Sequence, residues 1–130
     1  MKKLFLSLLL LPFARTGPNS AVEIRSGRWP ISLERNGGSY SLIFRNQQEI
    51  QAEVYDTVEF ANKGQLVYLD SALMVLRKGH DGDEATFSTY SVKRTDKKFD
   101  GMWYMLQTKY ATTNFRQHEA DLISQAIRGF

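Results

Sequence analysis

The chain contains no cysteine, only two histidines and only three prolines in 130 residues. Without cysteine there is no disulfide, no thiolate metal site and no cysteine nucleophile. His80 stands beside Asp81, Asp83 and Glu84, but this stretch lacks the glutamate that closes a calcium loop and reads as a polar turn. His118 adjoins Glu119 near Asp121 in a helical stretch, where successive side chains diverge by about 100°. Nucleophile-elbow, phosphate-loop, dinucleotide-binding and zinc-protease patterns are all missing. These absences lead us to expect no metal, no cofactor and no enzymatic activity. Charge of one sign is scarce as well: 17 Lys and Arg against 14 Asp and Glu leave a net +3. A surplus of that size permits contact with nucleic acid without requiring it.

Nor is there an apolar run long enough to cross a bilayer. The longest, Leu4 to Phe13, is interrupted by Ser7 and Pro12. As a helix it would reach about 15 Å, half of a hydrocarbon core near 30 Å, so we expect no transmembrane span. Lys2 and Lys3 precede the run and no acid appears before Glu23, which is the pattern of a targeting segment. A small-x-small cleavage pattern is poor, because Pro12 precedes Ala14 and Asn19 precedes Ala21. Arg15, Arg25 and Arg28 also suit an organellar presequence. We expect residues 1–21 to be a retained apolar arm, with Leu4, Phe5, Leu6, Leu8, Leu9, Leu10, Leu11 and Phe13 packed against partner subunits. The alternative is a cleaved signal on a small exported bacterial binding or adaptor protein, periplasmic or extracellular. Either way, residues 22–130 have the size of one domain with a single core.

That domain reads as α+β. Trp29, Ile31 and Leu33 alternate with polar neighbours, Asn36-Gly37-Gly38 follows, and Tyr40, Leu42 and Phe44 alternate again, which predicts a hairpin with a type I′ turn. Ile50, Ala52 and Val54 predict a third strand, and Val58 with Phe60 a short fourth. The period then changes to 3.6: Leu66, Leu69, Leu73 and Leu76, with Ala72, form one stripe. Asn62 and Gln65 supply its cap, Arg77, Lys78 and Gly79 its end. Residues 86–94 and 102–110 predict a second hairpin, joined by a basic loop. A second helix is expected to open at Asn114 with Gln117 and to run through Leu122, Ile123, Ala126 and Ile127. The expected architecture is one antiparallel sheet of about six strands with two helices, in the order ββββα-ββα. Both halves end as strand, cap, helix and basic-glycine stop, either from internal duplication or from the shared electrostatics of helix ends.

In element order over residues 28–130 the chain resembles the Whirly-type single-strand-binding fold, which is built from two ββββα units. That resemblance implies a curved sheet presenting aromatic and basic side chains to unpaired bases, usually in an oligomer. The residues themselves offer matching chemistry. Single-strand binding needs cations for phosphates and flat faces for bases. Lys93, Arg94, Lys97 and Lys98 cluster at the second hairpin's tip, and Trp103, Tyr104, Lys109, Tyr110 and Arg116 follow. Arg28, Arg35, Tyr40 and Arg45 form a weaker parallel set; core packing of the aromatics is the ordinary alternative. Strand alternation pairs Trp103 with Lys109 as the outward group. We therefore expect an accessory subunit of a large, mitochondrial, ribosome-like assembly, contacting single-stranded RNA through Lys93, Arg94, Lys97, Lys98, Trp103, Lys109 and Arg116.

Overall fold

The computed structural model describes residues 19–130, so the apolar segment from Leu4 to Phe13 lies outside the described residues. Eight strands form two four-stranded antiparallel meanders, each followed by a helix. In the first half β1 (Asn19–Arg25), β2 (Ile31–Asn36), β3 (Ser39–Arg45) and β4 (Tyr55–Phe60) lead into α1 (Lys63–Arg77). In the second, β5 (Glu84–Thr86), β6 (Tyr90–Lys97), β7 (Gly101–Thr108) and β8 (Thr112–Arg116) lead into α2 (Gln117–Gly129). The order is thus ββββα-ββββα in two sheets, where one sheet of about six strands was expected.

Each difference has a local cause. The first strand, β1, includes Ser20 and Ala21, which were expected to belong to the arm. Its Val22 and Ile24 point into the core and pair the strand along β2. The run from Ile50 to Val54 is not a strand: both residues are exposed, and the residues after β3 form a loop that closes back when Asn46 N donates to Val54 O at 2.7 Å. β8 is a strand whose Thr112, Thr113 and Asn114 resemble a helix cap in sequence, and the N-cap of α2 is Arg116, two residues after the expected Asn114. Glu119 Oε1 accepts from Arg116 N at 2.9 Å, which satisfies one otherwise free backbone donor. The β2–β3 turn has Gly37–Gly38 at its centre, with positive φ at Gly37 (+65°) alone, the sign pattern of type II′ and not I′.

The first helix follows its sequence closely. Gln65 N donates to Asn62 Oδ1 at 3.0 Å, Gln65 Oε1 accepts from Ala61 N at 2.8 Å, and Leu66, Leu69, Ala72, Leu73 and Leu76 are buried.

The two halves correspond row by row. Arg35, Tyr40 and Phe60 lie side by side across β2, β3 and β4, and Arg94, Tyr104 and Phe115 do so across β6, β7 and β8. The inner row Val22-Leu33-Leu42-Val58 is matched by Ala85-Val92-Leu106-Thr113. Asp70 and Ser124 occupy matching places on α1 and α2 and hydrogen-bond to each other, as residues beside a two-fold axis do. One hydrophobic cluster, drawing on both inner faces and both helices, forms the core. Among the described residues no helix is long and apolar enough to cross a membrane.

Candidate nucleic-acid interface

Alternation along β6, β7 and β8 divides the predicted site residues between two faces. Val92, Tyr104, Leu106 and Phe115 point inward and are buried, so Lys93, Lys97, Trp103, Met105, Asn114 and Arg116 share the outer face. Trp103 and Arg116 are direct cross-strand partners, with the guanidinium 4.3 Å from the ring centroid and Lys97 Nζ at 5.1 Å from it. Lys98 sits at the β6–β7 turn over the ring of Phe99, an aromatic 92% exposed that sequence reasoning passed over.

Arg94 is not part of this face. It points inward and its Nη1 donates to the α1 carbonyls of Leu76 (3.0 Å) and Arg77 (3.1 Å) and to Gly79 O (2.7 Å). Nε and Nη2 engage Asp96, whose hydrogen bond and charge hold the guanidinium's pKa above its ordinary value. It closes the negative end of α1, a structural duty. Lys109 also parts from Trp103. It follows the end of β7, about 20 Å along the strand direction, and its ammonium lies over Tyr110.

The outer face of β6–β8 runs into a cleft of about 570 Å³ between the two halves. Trp29, Arg28 and Ser26 from the β1–β2 turn line one side, Lys97 and Trp103 the other, with Gln47, Ile50, Asn114 and Arg25 between them. Both tryptophans of the chain therefore line a single cleft. Trp29 is flanked by cations as Trp103 is: Arg45 lies 4.5 Å and Arg28 5.2 Å from its ring centroid. Arg45 is buried and donates to Arg28 O, Ile50 O and Ala52 O, so it shapes the loops around the cleft. Arg28 is exposed at the rim, free to meet a ligand.

The cleft walls are fixed across the two halves. Arg25 Nε donates to Trp29 O at 2.7 Å, its Nη1 to Asn114 O at 2.9 Å, and the same Nη1 pairs with Glu119, which is 5% exposed. Gln47 Oε1 accepts from Asn114 N at 3.0 Å and from Asn114 Nδ2 at 2.8 Å. Buried Asn46 accepts from Thr112 N at 3.0 Å. Cross-half pairings of this kind are invisible in a linear pattern, which is why Arg25, Gln47 and Asn114 were missed.

Two features set this cleft apart. The outer face of the first sheet carries Glu23, Glu34 and Glu59, so it is acidic where the second is basic. Of the weaker set, Tyr40 is buried against Phe130, Arg35 Nε donates to Gly37 O at 3.2 Å at the β2–β3 turn and Arg45 is occupied, so Arg28 is the member that lines the cleft. A second cleft of about 580 Å³ is formed by the β5–β6 and β7–β8 turns, the counterparts in chain order of the β1–β2 turn and the β3–β4 loop, with Asp56 and Thr57 of β4. It is lined by Thr86, Ser88, Thr89 and Ser91, with the aromatics Phe87, Tyr90 and Tyr110, the acid Asp56 and the single cation Lys109. It has flat faces of its own but neither tryptophan nor guanidinium, and its one cation is set against one acid. Around the predicted turn at His80, Asp81 and Asp83 accept from the backbone of Asp96 and His80, and no acidic or histidine cluster fit for a metal occurs among the described residues. Comparison of the chain with protein-family models, with curated proteins and with solved structures finds no match.

Proposed function

We propose that this chain is a non-catalytic binding subunit that takes single-stranded nucleic acid, RNA foremost, in the tryptophan cleft and along the outer face of β6–β8. The observation that carries the reading is the convergence of Trp29 and Trp103, each flanked by cations, on one open cleft. Unpaired bases need planar faces to stack on, and phosphates need nearby positive charge. Trp29, Trp103 and exposed Phe99 offer the first; Arg28, Lys93, Lys97 and Lys98 offer the second. The reading includes a Whirly-type relationship, for which the two ββββα halves give the matching element order. It also includes membership of a larger mitochondrial assembly, for which the apolar segment from Leu4 to Phe13 is the sequence argument.

Anisotropy of a labelled single-stranded RNA of about ten nucleotides, titrated at several salt concentrations, tests the reading. Binding should weaken with salt, and the Arg28→Ala and Lys97→Ala pair should flatten the logarithmic slope by about 1.4, or 0.7 for each phosphate no longer neutralised. Duplex RNA, whose bases are stacked away, should compete poorly. Absence of binding at low salt, or equal binding of duplex, would overturn the proposal.

A further inference from the structure

Two acids stand in the cationic tip: Asp96 is held by Arg94, and Asp100 faces the cleft side. Asp100 closes the β6–β7 turn, where its backbone N donates to Lys97 O at 3.2 Å. Its carboxylate accepts from Arg116 Nη2 through Oδ1 and from Trp103 Nε1, at 3.2 Å, through Oδ2. One side chain thus joins the guanidinium and the indole that face each other across β7 and β8. The hydrogen bond and charge of Arg116, helped by Trp103 and Lys97, hold the Asp100 carboxyl below its usual range, so it is anionic at neutral pH. The ion pair is solvent-facing, with side-chain exposures of 41% and 52%, so an incoming anion can replace it.

We infer that Asp100 is a built-in stand-in for phosphate that occupies Arg116 until a nucleic-acid phosphate displaces it, which leaves base stacking to supply most of the affinity. This rests on the proposed single-strand reading of the same cleft. A phosphate approaching Arg116 meets a guanidinium already neutralised and must displace the carboxylate, which cancels much of its electrostatic gain. A polyanion without bases has nothing further to offer. A nucleotide has its base, which stacks on Trp103 and Trp29 and supplies the free energy that the charge exchange does not. Asp100 therefore lowers affinity for every polyanion but sets the contribution of stacking as the deciding one. The indole bond to Asp100 also fixes the edge of the ring beside Arg116.

The test compares wild-type protein, Asp100→Asn and Asp100→Glu for binding a single-stranded oligouridylate of about ten nucleotides and an inorganic polyphosphate of equal charge. Asparagine keeps the turn and the acceptor to Trp103 while removing the charge; glutamate keeps the charge. The expected result is that Asp100→Asn tightens both ligands by a similar factor, about threefold to tenfold, with both salt slopes steeper by about 0.7, while Asp100→Glu stays near wild type. Tightening of polyphosphate without the oligouridylate overturns Arg116 as a contact for the nucleic-acid phosphate and leaves the cleft reading intact. No change in either ligand overturns Asp100 as a competitor for Arg116. Failure of wild type and Asp100→Asn alike to bind either ligand overturns both this inference and the single-strand reading.

Discussion

Replacing Arg25 by alanine probes the joint on which the cleft depends. Its guanidinium reaches Trp29 O (2.7 Å), Asn114 O (2.9 Å), Glu119 Oε2 (3.1 Å) and Thr113 Oγ1 (3.3 Å), linking β1 to β8 and α2 between the two halves. The Arg25 side chain is 20% exposed and that of Glu119 6%. Breaking a buried ion pair by removing one partner costs about 3–5 kcal/mol, because the other charge stays buried and unpaired. Glu119 keeps the bond from Arg116 N, and water can enter from the exposed side of Arg25, so the loss should fall to about 2–3 kcal/mol. For a domain of this size that is a fall in melting temperature of about 10 °C. Urea unfolding followed by far-UV circular dichroism measures it, with the slope checked for two-state behaviour. The double variant Arg25→Met with Glu119→Gln removes both charges while keeping an acceptor for Arg116 N, and should recover at least half of the loss. A cost for Arg25→Ala below about 0.5 kcal/mol would refute the reasoning, since that is the range of a surface pair.

Tyr90 gives a prediction about pH. Its hydroxyl is buried with no hydrogen-bond partner among the described residues, and burial pushes the phenol's pKa far above its usual 10. The unfolded phenol ionises near pH 10 while the folded one does not, so wild-type stability should fall as pH climbs through about 10 to 11. Tyr90→Phe should remove Tyr90's share of that fall and stabilise the fold at pH 7 by up to about 1 kcal/mol, read by denaturant titration at both pH values. Arg94→Ala should free the carbonyls of Leu76, Arg77 and Gly79, lowering the melting temperature and speeding hydrogen exchange in the last turn of α1. It should leave the salt slope of RNA binding unchanged, whereas Lys97→Ala should flatten it; an equal effect of the two would place Arg94 at the ligand after all.

How much could be read in advance depended on whether the determining contacts were local. The α1 cap at Asn62, the reach of Gln65 and the leucine stripe are contacts within a few residues, and sequence spacing shows them directly. Lys93, Lys97 and Trp103 were legible from the hairpin itself, whose two strands put them on one face. Arg116 was legible as a cation only, and its place opposite Trp103 depends on a strand whose residues read as a helix. Ile50 and Val54 misled because apolar alternation also occurs in a loop held by Asn46 and Arg45. β8 was hidden by residues, Thr112 to Asn114, that favour caps in isolation but are paired here with β7 and tied to Asn46 and Gln47. Arg94 read as a free cation because nothing local reveals that three carbonyls of a helix end fifteen or more residues earlier claim it. Trp29 and Trp103 meet only through the packing of one half on the other, and no periodicity encodes that.

Because the chain has two tryptophans and both line the cleft, fluorescence excited selectively from tryptophan over tyrosine reports on that site. Titrating the protein with a single-stranded RNA at low salt, in wild type, Trp29→Phe and Trp103→Phe, is the most direct measurement of the central claim. The account predicts saturable quenching in wild type, quenching of the remaining tryptophan in each single variant, and reversal by salt. RNA binding detected by anisotropy with both tryptophan signals unchanged, or no binding at all, would contradict it.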